Sequence, residues 1–163
     1  SGMGRTGHFF AVQHSDVEPD ILTAAKSLGG GIPCGALLTT EALSAELQVG
    51  DLGTTFGGGP LAAAAIVTVI DTIRAEELLC NVREREAEIH ELCITGPVTG
   101  ILGKGFLAGL ICDRPAKEVR NALLDRDILT GTSADPAVLR LLPPLVLEAA
   151  HVKRLAAALN DIA

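Results

Sequence analysis

ILTAAK (residues 21–26) runs directly into SLGGGIPCG (residues 27–35), and the reading of the whole chain starts at this junction. A short apolar run ended by a lysine predicts a buried strand that delivers one side chain at its C-terminal edge. The segment after it is too rich in Gly and Pro to be regular structure. Residues 36–39 then read as a second short strand. Thr40 is placed to cap a helix over residues 41–47, with Glu41 favourable in its first turn. Upstream, residues 1–20 read as loop, with Gly2, Gly4 and Gly7 close together and Pro19 near the end.

Downstream, a second glycine cluster at residues 57–59 leads into Pro60, which suits the first position of a helix because its missing N–H has no partner there. Ile66, Val69, Ile70 and Ile73 recur at helical spacing and give that helix one apolar stripe. Residues 83–91 (REREAEIHE) read as a solvated helical face, and residues 95–100 as a turn. A domain boundary near that turn divides the chain into residues 1–94 and 95–163. Beyond it, residues 101–112 read as a strand pair and residues 116–127 as an amphipathic helix. Residues 128–132 and 138–142 read as strands, and residues 148–162 as a closing helix. Strands alternating with helices predict an α/β or α+β arrangement.

At 163 residues and 48% hydrophobic, the chain suits one ordinary domain or parts of two. No apolar run approaches the roughly 18 residues that a membrane span requires. The first residues, SGMGRTGHFF, carry no signal-peptide pattern and no initiator Met, so the true chain start is expected to lie elsewhere. A net charge of −7 and 2% aromatic residues disfavour nucleic acid, which needs clustered cations and stacking platforms. Cys34, Cys80, Cys93 and Cys112 are scattered without a CxxC pair, which argues against a zinc cage or disulfide framework and for a reducing cytoplasm. His8, His14, His90 and His151 have no metal-ligand spacing and read as surface or loop residues.

Three places have the residue types for chemistry. Lys26 is either an exposed lysine at a strand end or an amine desolvated enough to act as a nucleophile, because burial disfavours its charged form. Thr54 and Thr55, followed by Gly57–Gly59 and Pro60, form either a plain turn with an N-cap or an anion site at a helix N-terminus. Arg140, inside an apolar run, is either an edge-strand residue facing water or a fork for a carboxylate. Residues 28–31 lack the spacing of a nucleotide phosphate loop.

In this order, the segments SGMGRTGHFFAVQHSDVEPDILTAAKSLGGGIPCGA (1–36), GDLGTTFGGGPLAAAA (50–65) and DPAVLRLLPPLV (135–146) resemble the class III pyridoxal-phosphate aminotransferases, especially the acetylornithine/ornithine type. The resemblance implies the end of the large domain of a fold-type I enzyme followed by its small α+β domain. It implies that Lys26 binds pyridoxal 5'-phosphate covalently and that Thr55 binds the cofactor phosphate across a homodimer interface. It further implies that Thr54 touches substrate and that Arg140 pairs with the substrate α-carboxylate. The reaction implied is amino transfer from an ornithine-like ω-amine to 2-oxoglutarate in the cytoplasm, as in arginine biosynthesis.

The alternatives are another ω-amino acid transaminase, such as one for 4-aminobutyrate, and a truncated chain that only folds or associates. Gly59 stands where the family usually has Asn, Leu102 where it usually has Arg, and the connector between Glu91 and Gly100 is short. The family's acid for the pyridine nitrogen, its other phosphate loop and its stacking aromatic precede the residue matching Ser1. The chain is therefore expected to hold one part of an active site and to be inactive alone.

Overall fold

Strand β1 (Ile21–Ala24) returns through the glycine-rich segment as β2 (Ala36–Thr39). The two pair antiparallel, from Ile21 opposite Thr39 to Ala24 opposite Ala36. The computed structural model describes residues 1–162. The expectation of a buried strand is corrected here: Ile21 and Thr23 are exposed, and Leu22 and Ala24 are half-buried. Among the described residues β2 is its only strand partner. Only Ala24 and Ala36 reach the apolar cluster of Met3, Leu28, Ile73 and Leu78 beneath.

The helix expected over residues 41–47 shortens to α1 (Glu41–Ser44). Thr40 has the extended backbone of an N-cap, but its hydroxyl makes no capping hydrogen bond. An irregular segment follows, in which the Gln48 N–H donates to the Asp51 carboxylate at 2.7 Å. Helix α2 (Pro60–Ala75) then starts with Pro at its first position after Gly59, as read from the sequence. Its stripe packs on the first cluster, with Ile73 buried and Ile66, Val69 and Ile70 partly so.

Helix α3 (Leu78–Leu92) is separated from α2 because Glu77 adopts a left-handed backbone with φ of 51°. The charged run in α3 is solvated on one face only. Val82 and Ile89, seven residues apart on one side, are 0% and 2% exposed. With them the chain enters a second and larger core. It includes Phe106, Leu110, Leu123, Leu139 and Leu159, closed by β3 (Val98–Lys104), β4 (Leu107–Cys112), α4 (Ala116–Leu124), β5 (Gly131–Thr132), β6 (Val138–Leu141) and α5 (Ala149–Asn160). The sheet order is β3-β4-β6-β5, with every neighbouring pair antiparallel. Burial pushes the Cys93 thiol up to about 11, as befits an inert core thiol. Cys80, by contrast, is exposed.

Two boundaries move for local reasons. The turn over residues 95–100 ends early, and β3 begins at Val98 with a register irregularity before Gly100. The strand expected over residues 128–132 contracts to Gly131–Thr132. Asp127 takes a left-handed backbone (φ 59°), so the Ile128 N–H reaches the Leu123 carbonyl at 2.9 Å and both residues serve as the cap of α4.

Residues 2–9 form a strap between the two cores. The Phe106 N–H donates to the Arg5 carbonyl at 2.8 Å, and Arg83 donates to the Gly7 carbonyl at 2.6 Å. The half-buried Arg5 guanidinium donates to the Pro143 carbonyl. Gly105, between β3 and β4, has φ +55° and lies so near that a Cβ there would sit 2.6 Å from the Arg5 carbonyl oxygen. No described helix is long and apolar enough to cross a membrane.

The second core should be sensitive to single truncations. Leu139→Ala should cost about 2–5 kcal/mol by denaturant unfolding, because Leu139 is fully buried opposite Leu110. Leu129→Ala, at a side chain 87% exposed, should change stability by no more than about 0.5 kcal/mol.

Candidate active site

Lys26 opens a 3-10 turn (Lys26–Gly29) at the end of β1, and its backbone is left-handed with φ of 62°. A lysine in that region costs on the order of 1–2 kcal/mol, which surrounding structure has to hold in place. Leu28 supplies the hold: it is buried with Met3, Ile73 and Leu78, pinning the turn down two residues after the lysine. The turn packs along α2, where Val69 stands beside Gly30 and Ala65 beside Gly29. The outcome is a fixed backbone beneath an exposed amine, not the desolvated lysine of the nucleophile reading.

Lys26 lies on the wall of a cleft of about 390 Å³ between β1 and the strap, with Phe9, Phe10, Leu22 and Ala24 on its other sides. That volume falls within the roughly 300–1,000 Å³ of small-molecule sites. Lys26 is the one lysine on the cleft wall. By its size and its one amine this cleft suits a small aldehyde.

Thr54 and Thr55 lie in an exposed irregular segment and line neither this cleft nor the larger groove described below. The Thr54 hydroxyl accepts from the Gly57 N–H at 3.2 Å, which closes a small turn just before α2. The Thr55 hydroxyl has no hydrogen-bond partner among the described residues. Around it Val49, Leu52 and Phe56 are strongly exposed, Phe56 at 90%.

Arg140 stands on β6 with its side chain exposed, between the inward-facing Leu139 and Leu141. It borders an apolar groove of about 800 Å³ along Leu142, Val146 and α5. Among the described residues no carboxylate and no carbonyl engages its guanidinium. Its cross-strand neighbours are Gly109 on β4 and Gly131 on β5.

The residues singled out in the sequence are thus brought to three places rather than one cavity. The strap relates two of them. Gly2 lies against Lys26 and Ser27, and Arg5 holds the carbonyl of Pro143, three residues past Arg140. Asn81 on α3 adds to this by donating to the Leu145 and Leu147 carbonyls at 2.8 and 3.0 Å. Sequence reasoning missed Arg5 and Asn81; the available signals were an arginine amid glycines and one amide within the run LLCNV.

Lys26 thus stands on a fixed turn beside a ligand-sized cleft, and Arg140, without a partner among the described residues, stands on a separate sheet. The aminotransferase class-III family profile matches residues 1–163, and the chain belongs to that family. It is 41% identical over 152 residues to acetylornithine aminotransferase 1 of Bordetella bronchiseptica, covering 90% of this chain and 38% of that protein.

Among solved structures, the ornithine aminotransferase of Toxoplasma gondii superposes with a TM-score of 0.86 at 27% identity, over 99% of this chain and 40% of the other. The acetylornithine aminotransferase of Elizabethkingia anophelis gives a TM-score of 0.85 at 29% identity, over 99% of this chain and 45% of the other. The α/β fold is therefore that of the C-terminal portion of these enzymes. The chain spans about two fifths of the length of the relatives it matches.

The strained backbone at Lys26 has a measurable consequence. Lys26→Gly should stabilise the cofactor-free protein by about 0.5–1 kcal/mol, the relief of left-handed strain less the extra entropy of glycine when unfolded. Equilibrium urea unfolding reads this directly, and a loss of stability would show that the turn carries no strain.

Proposed function

We propose that this chain supplies the cofactor lysine and the carboxylate-binding arginine of an acetylornithine- or ornithine-type aminotransferase. In a protein of its relatives' length, it transfers an amino group from an ornithine-like ω-amine to 2-oxoglutarate. The observation that carries the reading is Lys26, held in a left-handed turn on the wall of a cleft large enough for pyridoxal 5'-phosphate. The relatives' names and the family support the same reaction class.

Bound there, pyridoxal 5'-phosphate supplies the electron sink of the reaction. Lys26 Nζ holds the cofactor covalently at rest. Once displaced by an incoming amine, the freed Nζ would take the proton from the amine-bearing carbon of the substrate as base and give it up again as acid, completing the 1,3-proton shift. The pinned turn keeps that amine at one position through both roles. Arg140 orients the substrate by a forked contact with its carboxylate. Thr54 borders the substrate, and the Thr55 hydroxyl binds the cofactor phosphate of the partner subunit in a homodimer.

The exposed Val49, Leu52 and Phe56, all within six residues of Thr55, support that last role, since large apolar side chains left exposed close together in the chain suit an interface. The two core clusters support a division near residue 95, with α3 reaching from Leu78 in one to Ile89 in the other. A reducing cytoplasm suits the four free cysteines.

Borohydride reduction of the holoenzyme followed by peptide mass mapping should place the cofactor adduct on Lys26. An adduct on Lys104 or Lys117 would end the assignment. Arg140→Ala should lower kcat/KM by roughly 30-fold to several thousand-fold, the equivalent of about 2–5 kcal/mol for one partner removed from a desolvated charge pair. Cofactor absorbance should persist in that variant. Unchanged amino-donor kinetics would leave Arg140 as a strand residue only.

A further inference from the structure

We propose that Gly131 is a positioning residue for Arg140: the bare backbone of β5 is the seat on which the guanidinium lies, and this seat sets the direction in which the fork meets a carboxylate. The inference rests on the reading of Arg140 as the carboxylate binder and names what aims it.

Gly131 and Arg140 are directly opposite in the β5–β6 register, so their side-chain positions share one face of the sheet. A Cβ built at Gly131 would lie 3.2 Å from both Nε and Nη2 of Arg140, and 3.6 Å from Cζ. Nε and Nη2 are equally near that point and the Cζ behind them is farther, so the guanidinium stands edge-on, with its Nε–Nη2 edge toward Gly131. On the other side of Arg140 the cross-strand partner, Gly109, also carries no side chain. No ion pair or hydrogen bond among the described residues turns the guanidinium. Contact of its Nε–Nη2 edge with the strand backbone at Gly131 is what limits its swing.

The backbone itself does not call for glycine at this position. Gly131 is absent from the residues with positive φ, so any L-residue fits its conformation. Glycine weakens a strand, and a β-branched residue would suit β5 better. A glycine inside a strand instead marks close approach by another group, and here that group is Arg140. The edge-on seat leaves the Nη1 end of the fork turned away from β5, beside the groove that Arg140 borders.

The test uses the full-length holoenzyme, with Gly131→Ala, Gly131→Val, Arg140→Ala and the Gly131→Val/Arg140→Ala double variant. Two measurements are compared: KM and kcat for 2-oxoglutarate, and the dissociation constant of glutarate by calorimetry. Alanine moves the guanidinium by a few tenths of an ångström, and valine unseats it. The glutarate constant and KM should rise about 3-fold with alanine and about 10-fold or more with valine, a ground-state binding loss that leaves kcat less affected.

Cofactor absorbance and the Lys26 adduct should be unchanged. In the Arg140→Ala background, Gly131→Val should add nothing, because both changes act through one group. Weak effects of Gly131→Ala and Gly131→Val on glutarate binding, beside a large effect of Arg140→Ala, would overturn the seat alone. The same fold-change for Gly131→Val with and without Arg140 would do likewise. Unaltered glutarate binding in Arg140→Ala would overturn the seat together with the reading of Arg140 on which it rests.

Discussion

The arrangement depends on the contact of the N-terminal strap with the second core. The Arg5 carbonyl accepts from Phe106, its guanidinium reaches the Pro143 carbonyl, and Gly105 leaves the room that this approach needs. Phe106 is fully buried, so the hydrogen bond to Arg5 is anchored in the largest hydrophobic core of the chain. At its two ends the strap passes Lys26 with Gly2 and supplies Phe9 to the cleft wall. Met3 meanwhile joins Leu28 and Ile73 in the smaller core. One irregular segment of eight residues thereby couples the position of the lysine to the sheet that carries Arg140. Buried polar contacts of this kind cost little when satisfied and a good deal when broken, so the coupling is stiff.

Much of this was legible in the sequence wherever a local rule governs. Pro60 after three glycines marks the start of α2, and the stripe from Ile66 to Ile73 finds its core because helical periodicity is set by the chain itself. The strands β2, β3, β4 and β6 fall close to where the apolar runs put them. What failed was set by neighbours. Burial of β1 depends on how many layers cover it, which ILTAAK does not encode. The inner face of α3 hides in a run dominated by Arg and Glu, because two apolar residues seven apart suffice to bury one side of a helix. Residues 128–130 looked extended, but Asp127 diverts them into a cap through a backbone state that its side chain only tolerates.

The site was legible as residue types and not as geometry. Lys26, Thr54, Thr55 and Arg140 stood out by their surroundings in the sequence, and their segments resembled one family, to which the chain belongs. The left-handed backbone at Lys26 had no sequence signal, since glycine is what such a position leads one to expect. The pairing of Gly131 with Arg140 was equally hidden, because strand register across a loop of irregular length cannot be counted off from spacing. Both features concern how a side chain is aimed, which is set by the backbone around it.

The β1–β2 ribbon has a consequence of its own. A two-stranded ribbon is marginal by itself in water, and this one is covered on a single side. The four-stranded sheet, which shares the second core with the inner faces of α3, α4 and α5, opens only when that core does. Opening free energies therefore form a gradient along the chain, lowest at the ribbon and highest around Leu110 and Leu139, and amide protons sample solvent in that order. The lysine sits at the soft end of that gradient and the arginine at the hard end. A molecule that spans both would make the ribbon's persistence a function of its own concentration.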